Sequence, residues 1–149
     1  MNLLPCSFPA LNPNHRPAPH TILLVEDEPF VREATRFILE SAGFEVLPVE
    51  DAAAALKVYE ESDHAVDLVM TDMILPGRTG EQLGQELRQR SPNVTVLITS
   101  GYSNVDCATD EPHSNTYFLA KPYSRRGLVG KIEEIFRVLP LHTIAGQAG

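Results

Sequence analysis

Val66-Asp67-Leu68-Val69-Met70-Thr71-Asp72 is a short run, apolar but for Asp67 as far as Met70, that stops on a carboxylate. Val66 to Met70 has the length of a strand buried on both faces, the kind found inside a parallel sheet, and it ends at Thr71-Asp72. The same pattern recurs along the chain. Ile22 to Val25 ends in Glu26-Asp27-Glu28, Val94 to Ile98 runs into Thr99-Ser100-Gly101, and Thr116 to Ala120 ends at Lys121-Pro122. Glu45 to Val49 reads as a further strand, placed at a sheet edge because Pro48 cannot donate to a ladder. Longer amphipathic stretches separate these runs, which is the alternation of βα units feeding a parallel sheet.

The helices have recognisable ends. Pro29 stands at a helix start, Phe30, Ala34, Phe37, Ile38 and Ala42 share one face, and Gly43 is the stop. Asp51 caps a second helix that turns Ala55, Leu56 and Tyr59 inward, and a third spans about Gly80 to Arg90 with Leu83 and Leu87 inward. The last is the clearest, since Leu128, Ile132, Ile135, Phe136 and Leu139 repeat at helical spacing until Pro140, leaving 140–149 as an expected loose tail. Ser103 to Ser114 holds three acids, Pro112 and few apolar residues, so only a short, easily opened helix is expected there.

The chain has 149 residues, 43% of them hydrophobic, enough for one domain with one core. Lys and Arg number 12 against 20 Asp and Glu, a net charge of -8 that supplies no basic stripe for nucleic acid. No apolar run nears the roughly 20 residues of a membrane span, so a soluble protein is expected. Cys6 and Cys107 make neither a disulfide framework nor a metal spacing, which points to a reducing cytoplasm. The leader has no secretory pattern. Pro5, Pro9, Pro13, Pro17 and Pro19 make residues 1–20 an extended arm, with the folded part starting near Thr21.

In an open parallel sheet, ligands sit beyond the carboxyl ends of the strands. Those ends carry Glu26-Asp27-Glu28, Asp72, Thr99-Ser100 and Lys121. Ionised carboxylates packed together raise one another's pKa unless a cation lies among them. The candidate ligands are all oxygens, which suits a hard ion such as Mg²⁺ better than zinc. Lys121 and Ser100 would add donors for phosphoryl oxygens, leaving one carboxylate as nucleophile. Each acid taken alone reads as a solvated loop residue; the whole set does not.

Leu23-Leu24-Val25-Glu26-Asp27-Glu28, Asp67 to Gly77, Ile98-Thr99-Ser100-Gly101 and Lys121-Pro122 together resemble the receiver domain of two-component response regulators. The resemblance covers about Thr21 to Leu139, with every block in order and at receiver spacing. It implies a doubly wound α/β fold, flavodoxin-like, with five parallel strands in the order 2-1-3-4-5 and helices on both faces. It also implies that Asp72 is the phosphoacceptor, attacking a phosphohistidine on a sensor histidine kinase or a histidine phosphotransfer protein. Asp27 and Asp72 would bind Mg²⁺, with the backbone carbonyl of Ile74; Glu26 would act through a water or as an outer partner. Ser100 matches the hydroxyl that bonds the phosphoryl group, Thr99 being its competitor, and Lys121 matches the lysine that pairs with it. Ser100 and Phe118 match the switch pair, Phe118 reading equally as a core aromatic. Pro122 matches a cis peptide, an expectation that rests on the resemblance because an unconstrained X-Pro bond is cis only about 5–6% of the time. Tyr102 and Ile74, bulky and largely apolar, occupy positions that line the route of attacking water, so slow dephosphorylation is expected.

The implied protein is a signalling module, catalysing only its own phosphorylation and dephosphorylation, either standing alone or ending a hybrid histidine kinase. The polar Ser103 to Ser114 segment argues against a standard symmetric dimer and for a monomer or weak dimer. Arg125 and Arg126 oppose a helix dipole and read as solvated cations or a docking patch. A haloacid-dehalogenase-type phosphatase wants a second acid two residues after its nucleophile, where this chain has Ile74. A phosphate-independent pseudo-receiver is disfavoured because the site positions are filled. Flavin binding would need a Ser/Thr-rich phosphate loop where Glu26-Asp27-Glu28 stands.

Overall fold

The computed structural model describes residues 19–63, 65–101 and 110–148, with side chains as far as Val138. In chain order the elements are β1 (Thr21–Val25), α1 (Pro29–Ser41), β2 (Glu45–Val49), α2 (Ala52–Glu61) and β3 (Leu68–Asp72). A small ribbon follows, β4 (Ile74–Leu75) and β5 (Arg78–Thr79), then α3 (Gly80–Arg90) and β6 (Val96–Ser100). A 3-10 turn (Pro112–Ser114), β7 (Thr116–Ala120) and α4 (Arg125–Ala148) complete the chain. The five long strands pair in parallel in the order β2-β1-β3-β6-β7, the doubly wound order expected.

Period-two alternation sends successive strand residues to opposite faces, and both faces are covered. Leu23, Val25, Val69, Val96 and Ile98 pack with Ala55 and Tyr59 of α2 and Leu83 and Leu87 of α3. Ile22, Leu24, Leu68, Met70 and Leu97 pack with Leu39 of α1 and Leu128, Ile132 and Ile135 of α4. Such continuous apolar strands cannot sit at a wet surface, so the sheet is the middle layer of three.

Local chemistry sets the ends of α1, α2 and α3. Asp51 caps α2 by accepting from the Ala54 amide at 2.8 Å. Thr79 and Gln82 form a reciprocal capping box at the start of α3. Gly43, at φ +99°, supplies the left-handed conformation that closes α1. Pro48 lies on β2, an edge strand, where its missing donor costs no ladder bond.

Several expectations are corrected. The third and fourth long strands run to Asp72 and Ser100 and begin two residues later than the apolar runs Val66 to Met70 and Val94 to Ile98. Ladder hydrogen bonds are backbone bonds, so polar Thr71 and Asp72 pair with Ile98 and Thr99 as readily as apolar residues would. On α1 the buried side chains are Thr35 and Leu39, whereas Phe30 and Phe37 face solvent at 86% and 70% exposure. The helical backbone of α4 continues past Pro140 to Ala148, beyond the end expected at Leu139. A proline removes one i to i−4 bond from a helix, and here that loss does not stop it. Of the expected helix over Ser103 to Ser114, residues 103–109 lie outside the described residues, as do the arm 1–18, Tyr102, Cys6 and Cys107; the remainder holds the 3-10 turn. No helix among the described residues is long and apolar enough to cross a membrane.

Candidate functional site

Strand register decides which strand ends meet. Val25 pairs with Thr71, so Glu26 and Asp72, one residue further on, emerge side by side where the chain winds away from β1 in opposite directions. This is the crevice that the topology of an open α/β sheet opens. Asp72 itself pairs with Thr99, Ser100 pairs with Ala120, and the Lys121 amide donates to the Ser100 carbonyl at 2.8 Å. The Lys121-Pro122 bond is cis.

Four of the expected site residues converge. Carboxylate oxygens of Glu26, Asp27 and Asp72 lie within 4.8 Å of one another. Lys121 Nζ donates to Asp72 Oδ2 at 3.2 Å and sits 3.5 Å from Glu26 Oε1. Ser100 is buried at the last position of β6, on the neighbouring strand end, with Thr99 buried beside it. Phe118 stands two residues short of the end of β7, half-buried against the α2–α3 side of the core, and its amide donates to Asp110 Oδ1 at 2.9 Å. Ile74 begins β4, two residues past Asp72 and exposed. Glu28 leaves the cluster to cap α1, accepting from the Phe30 amide. Arg125 donates to the Ser41 hydroxyl at 2.6 Å.

The electrostatics follow from this crowding. Burial pushes the Glu26 carboxyl above its usual range, helped by the nearby Asp72 and Asp27 charges; the Glu28 amide and Lys121 pull the other way. Burial alone would lower the Lys121 ammonium, yet Glu26 and Asp72 outweigh it and hold the group above its ordinary value. Lys121 is therefore a fixed cation beside Asp72 at neutral pH. Three convergent carboxylates facing one lysine leave negative charge in excess. The all-oxygen donor set, with no imidazole or thiolate in it, fits a hard divalent ion such as Mg²⁺.

Three supports were not read from the sequence. Arg32 on α1 donates from Nη1 to the Glu26 carbonyl at 2.8 Å. The Met73 amide donates to the Thr99 carbonyl, and the Gly80 amide to the Met73 carbonyl, each at 2.7 Å, tying the chain after Asp72 to β6 and to α3. A Cβ at Gly80 would stand 2.5 Å from the Asp72 carbonyl oxygen, so α3 approaches the end of β3 only because residue 80 has no side chain. Contacts to backbone carbonyls leave no trace in a pattern of side chains.

Residues 22–133 match the family described as the response regulator receiver domain. The sequence is 32% identical over 117 residues to the sensory transduction protein RegX3 of Mycolicibacterium smegmatis, covering 78% of this chain and 50% of that protein. It is 34% identical over 116 residues to the sensor kinase CckA of Brucella abortus, covering 77% of this chain and 12% of that protein. The chain thus spans half the length of the first relative and a small part of the second. A response regulator receiver domain protein from Clostridium thermocellum superposes with a TM-score of 0.74 at 27% identity, over 82% of this chain and 98% of that one. By sequence, sheet order and the placement of its acidic rim, the chain belongs to the response regulator receiver domain family.

Proposed function

We propose that this receiver takes a phosphoryl group onto Asp72 from a phosphohistidine on a partner kinase or phosphotransfer protein. The observation that carries the reading is the meeting of Asp72 with Lys121 at 3.2 Å and with two further carboxylates within 4.8 Å. An Asp72 carboxylate oxygen would attack phosphorus, the phosphorus–nitrogen bond would break, and the imidazole nitrogen would keep the bonding pair. Lys121, held protonated by its carboxylate neighbours, offsets negative charge on the phosphoryl oxygens. Asp27, Asp72 and the Ile74 carbonyl would hold Mg²⁺, with Glu26 behind them. When bound, the ion supplies charge neutralisation for carboxylates and phosphoryl oxygens alike. Ser100 is the hydroxyl that would bond the phosphoryl group and, with Phe118, transmit its arrival.

A donor must reach Asp72 across the surrounding surface. Phe30, Phe37 and Ile74 are exposed there and on α1, and a groove of 620 Å³ lined by Phe30, Val31, Ala34, Ile38, Pro122 and Tyr123 adjoins Lys121. An apolar patch beside a charged rim suits a protein donor rather than a small metabolite. The chain would be no enzyme beyond its own phosphorylation and dephosphorylation, acting in the cytoplasm where kinases present phosphohistidine. The match to the kinase CckA supports a setting within a hybrid kinase, and the match to RegX3 supports a separate regulator. Phosphotransfer profiling against the histidine kinases of the host tests the reading: rapid transfer from one kinase supports it, and no transfer from any would count against it.

A further inference from the structure

We propose that Arg32 is a positioning residue for the acidic rim, holding the turn from Glu26 to Glu28 in the shape that presents Asp27 to a divalent cation. The inference rests on the proposed function and deepens it. Asp27 is exposed, so no packing aims its carboxylate, and its direction depends on the two peptide groups that flank it. Both are pinned. The peptide before Asp27 is held by Arg32 Nη1, which donates to the Glu26 carbonyl at 2.8 Å. The peptide after it is held by the Glu26 carboxylate, since the Glu28 amide donates to Oε2 at 3.1 Å. The Glu26 amide in turn donates to the Val49 carbonyl at 3.1 Å, anchoring the turn to β2.

Arg32 is itself fixed by the helix it belongs to. Its amide donates to the Glu28 carbonyl at 2.8 Å, closing the first turn of α1 on the segment that its side chain holds. The half-buried guanidinium is spent on a carbonyl, and among the described residues it makes no ion pair within 4.0 Å. Two effects therefore oppose each other in sign. As a mere cation near three acids, Arg32 would repel a divalent ion, and its removal would tighten binding. As the clamp on the Glu26 carbonyl it orients a ligand, and its removal would weaken binding. The geometry favours the clamp, because the guanidinium donates to a backbone carbonyl and, among the described residues, pairs with no carboxylate.

Calorimetric titration of Mg²⁺ into the wild type, Arg32→Met, Arg32→Ala and Arg32→Lys separates the two. Methionine keeps the apolar stem and loses the donor, and thermal unfolding in EDTA shows that each variant is folded. Arg36→Met, on the exposed side of α1 among Glu33 and Glu40, controls for loss of charge. We expect Arg32→Met and Arg32→Ala each to raise the Mg²⁺ dissociation constant about tenfold, Arg32→Lys to restore part of the loss, and Arg36→Met to match the wild type. In the apo protein, amide resonances of Asp27 and Glu28 should shift in Arg32→Met. Equal or tighter Mg²⁺ binding by folded Arg32→Met or Arg32→Ala overturns this inference alone. A wild type that takes up no Mg²⁺ overturns the proposed function and this inference with it.

Discussion

Glu26 is the most deeply buried of the three rim carboxylates, at 5% exposure, and its raised pKa means that the fold resists its ionisation. The folded chain then holds a proton that the unfolded chain has released, so stability falls as pH rises from about 4.5 through the higher folded value. Glu26→Gln removes the titrating group. In EDTA its urea midpoint should exceed that of the wild type at pH 7, and the difference should vanish below pH 4; a lower midpoint at pH 7 would show that the pairing with Lys121 outweighs burial. Asp27 is exposed, and the proposed function makes it a direct ligand of the ion. Asp27→Ala should weaken Mg²⁺ binding more than Glu26→Ala, and calorimetric titrations that return one affinity for both would remove the distinction between direct and indirect ligand.

The start of α3 shows how an element is placed by what it lacks. Gly80 faces the Asp72 carbonyl at a distance no Cβ tolerates, while Gly130 on α4 faces open space. Alanine ordinarily stabilises a helix interior by about 0.5–1 kcal/mol over glycine. Gly130→Ala should gain about that much in thermal or urea unfolding, whereas Gly80→Ala should lose stability and displace the Asp72 strand end; the same sign for both would contradict the close approach. Element boundaries were the least legible feature of the sequence. Hydrophobic runs marked Val66 and Val94 as strand starts, but the ladder is written in backbone groups, so Asp72 and Ser100 proved to be the last residues of strands and not the first of loops. On α1 two stripes compete at helical spacing, and the more apolar one, through Phe30 and Phe37, lies outside. The inner stripe includes Thr35, which reads as polar yet is buried with its hydroxyl 3.1 Å from that of Tyr123. Phe30 and Thr35 both line the groove that adjoins Lys121.

At the scale of the whole molecule, the alternation of Ile22 and Leu24 with Leu23 and Val25 was enough to indicate a sheet covered on both sides, and the structure builds its two core clusters on those residues. Glu26, Asp27, Asp72 and Lys121 were legible as a set because each lies at or just past the end of a strand, and parallel strands deliver their ends to one edge. Their distances were not legible, nor was the backbone bracing by Arg32, Met73 and Gly80, since register is a property of the assembled sheet. The proposed function requires one covalent event at that edge, phosphorylation of Asp72. With Mg²⁺ and acetyl phosphate, intact-mass spectrometry should find one phosphoryl group on the wild type and none on Asp72→Asn, and omission of Mg²⁺ should suppress the gain. Equal labelling of the wild type and Asp72→Asn would contradict it.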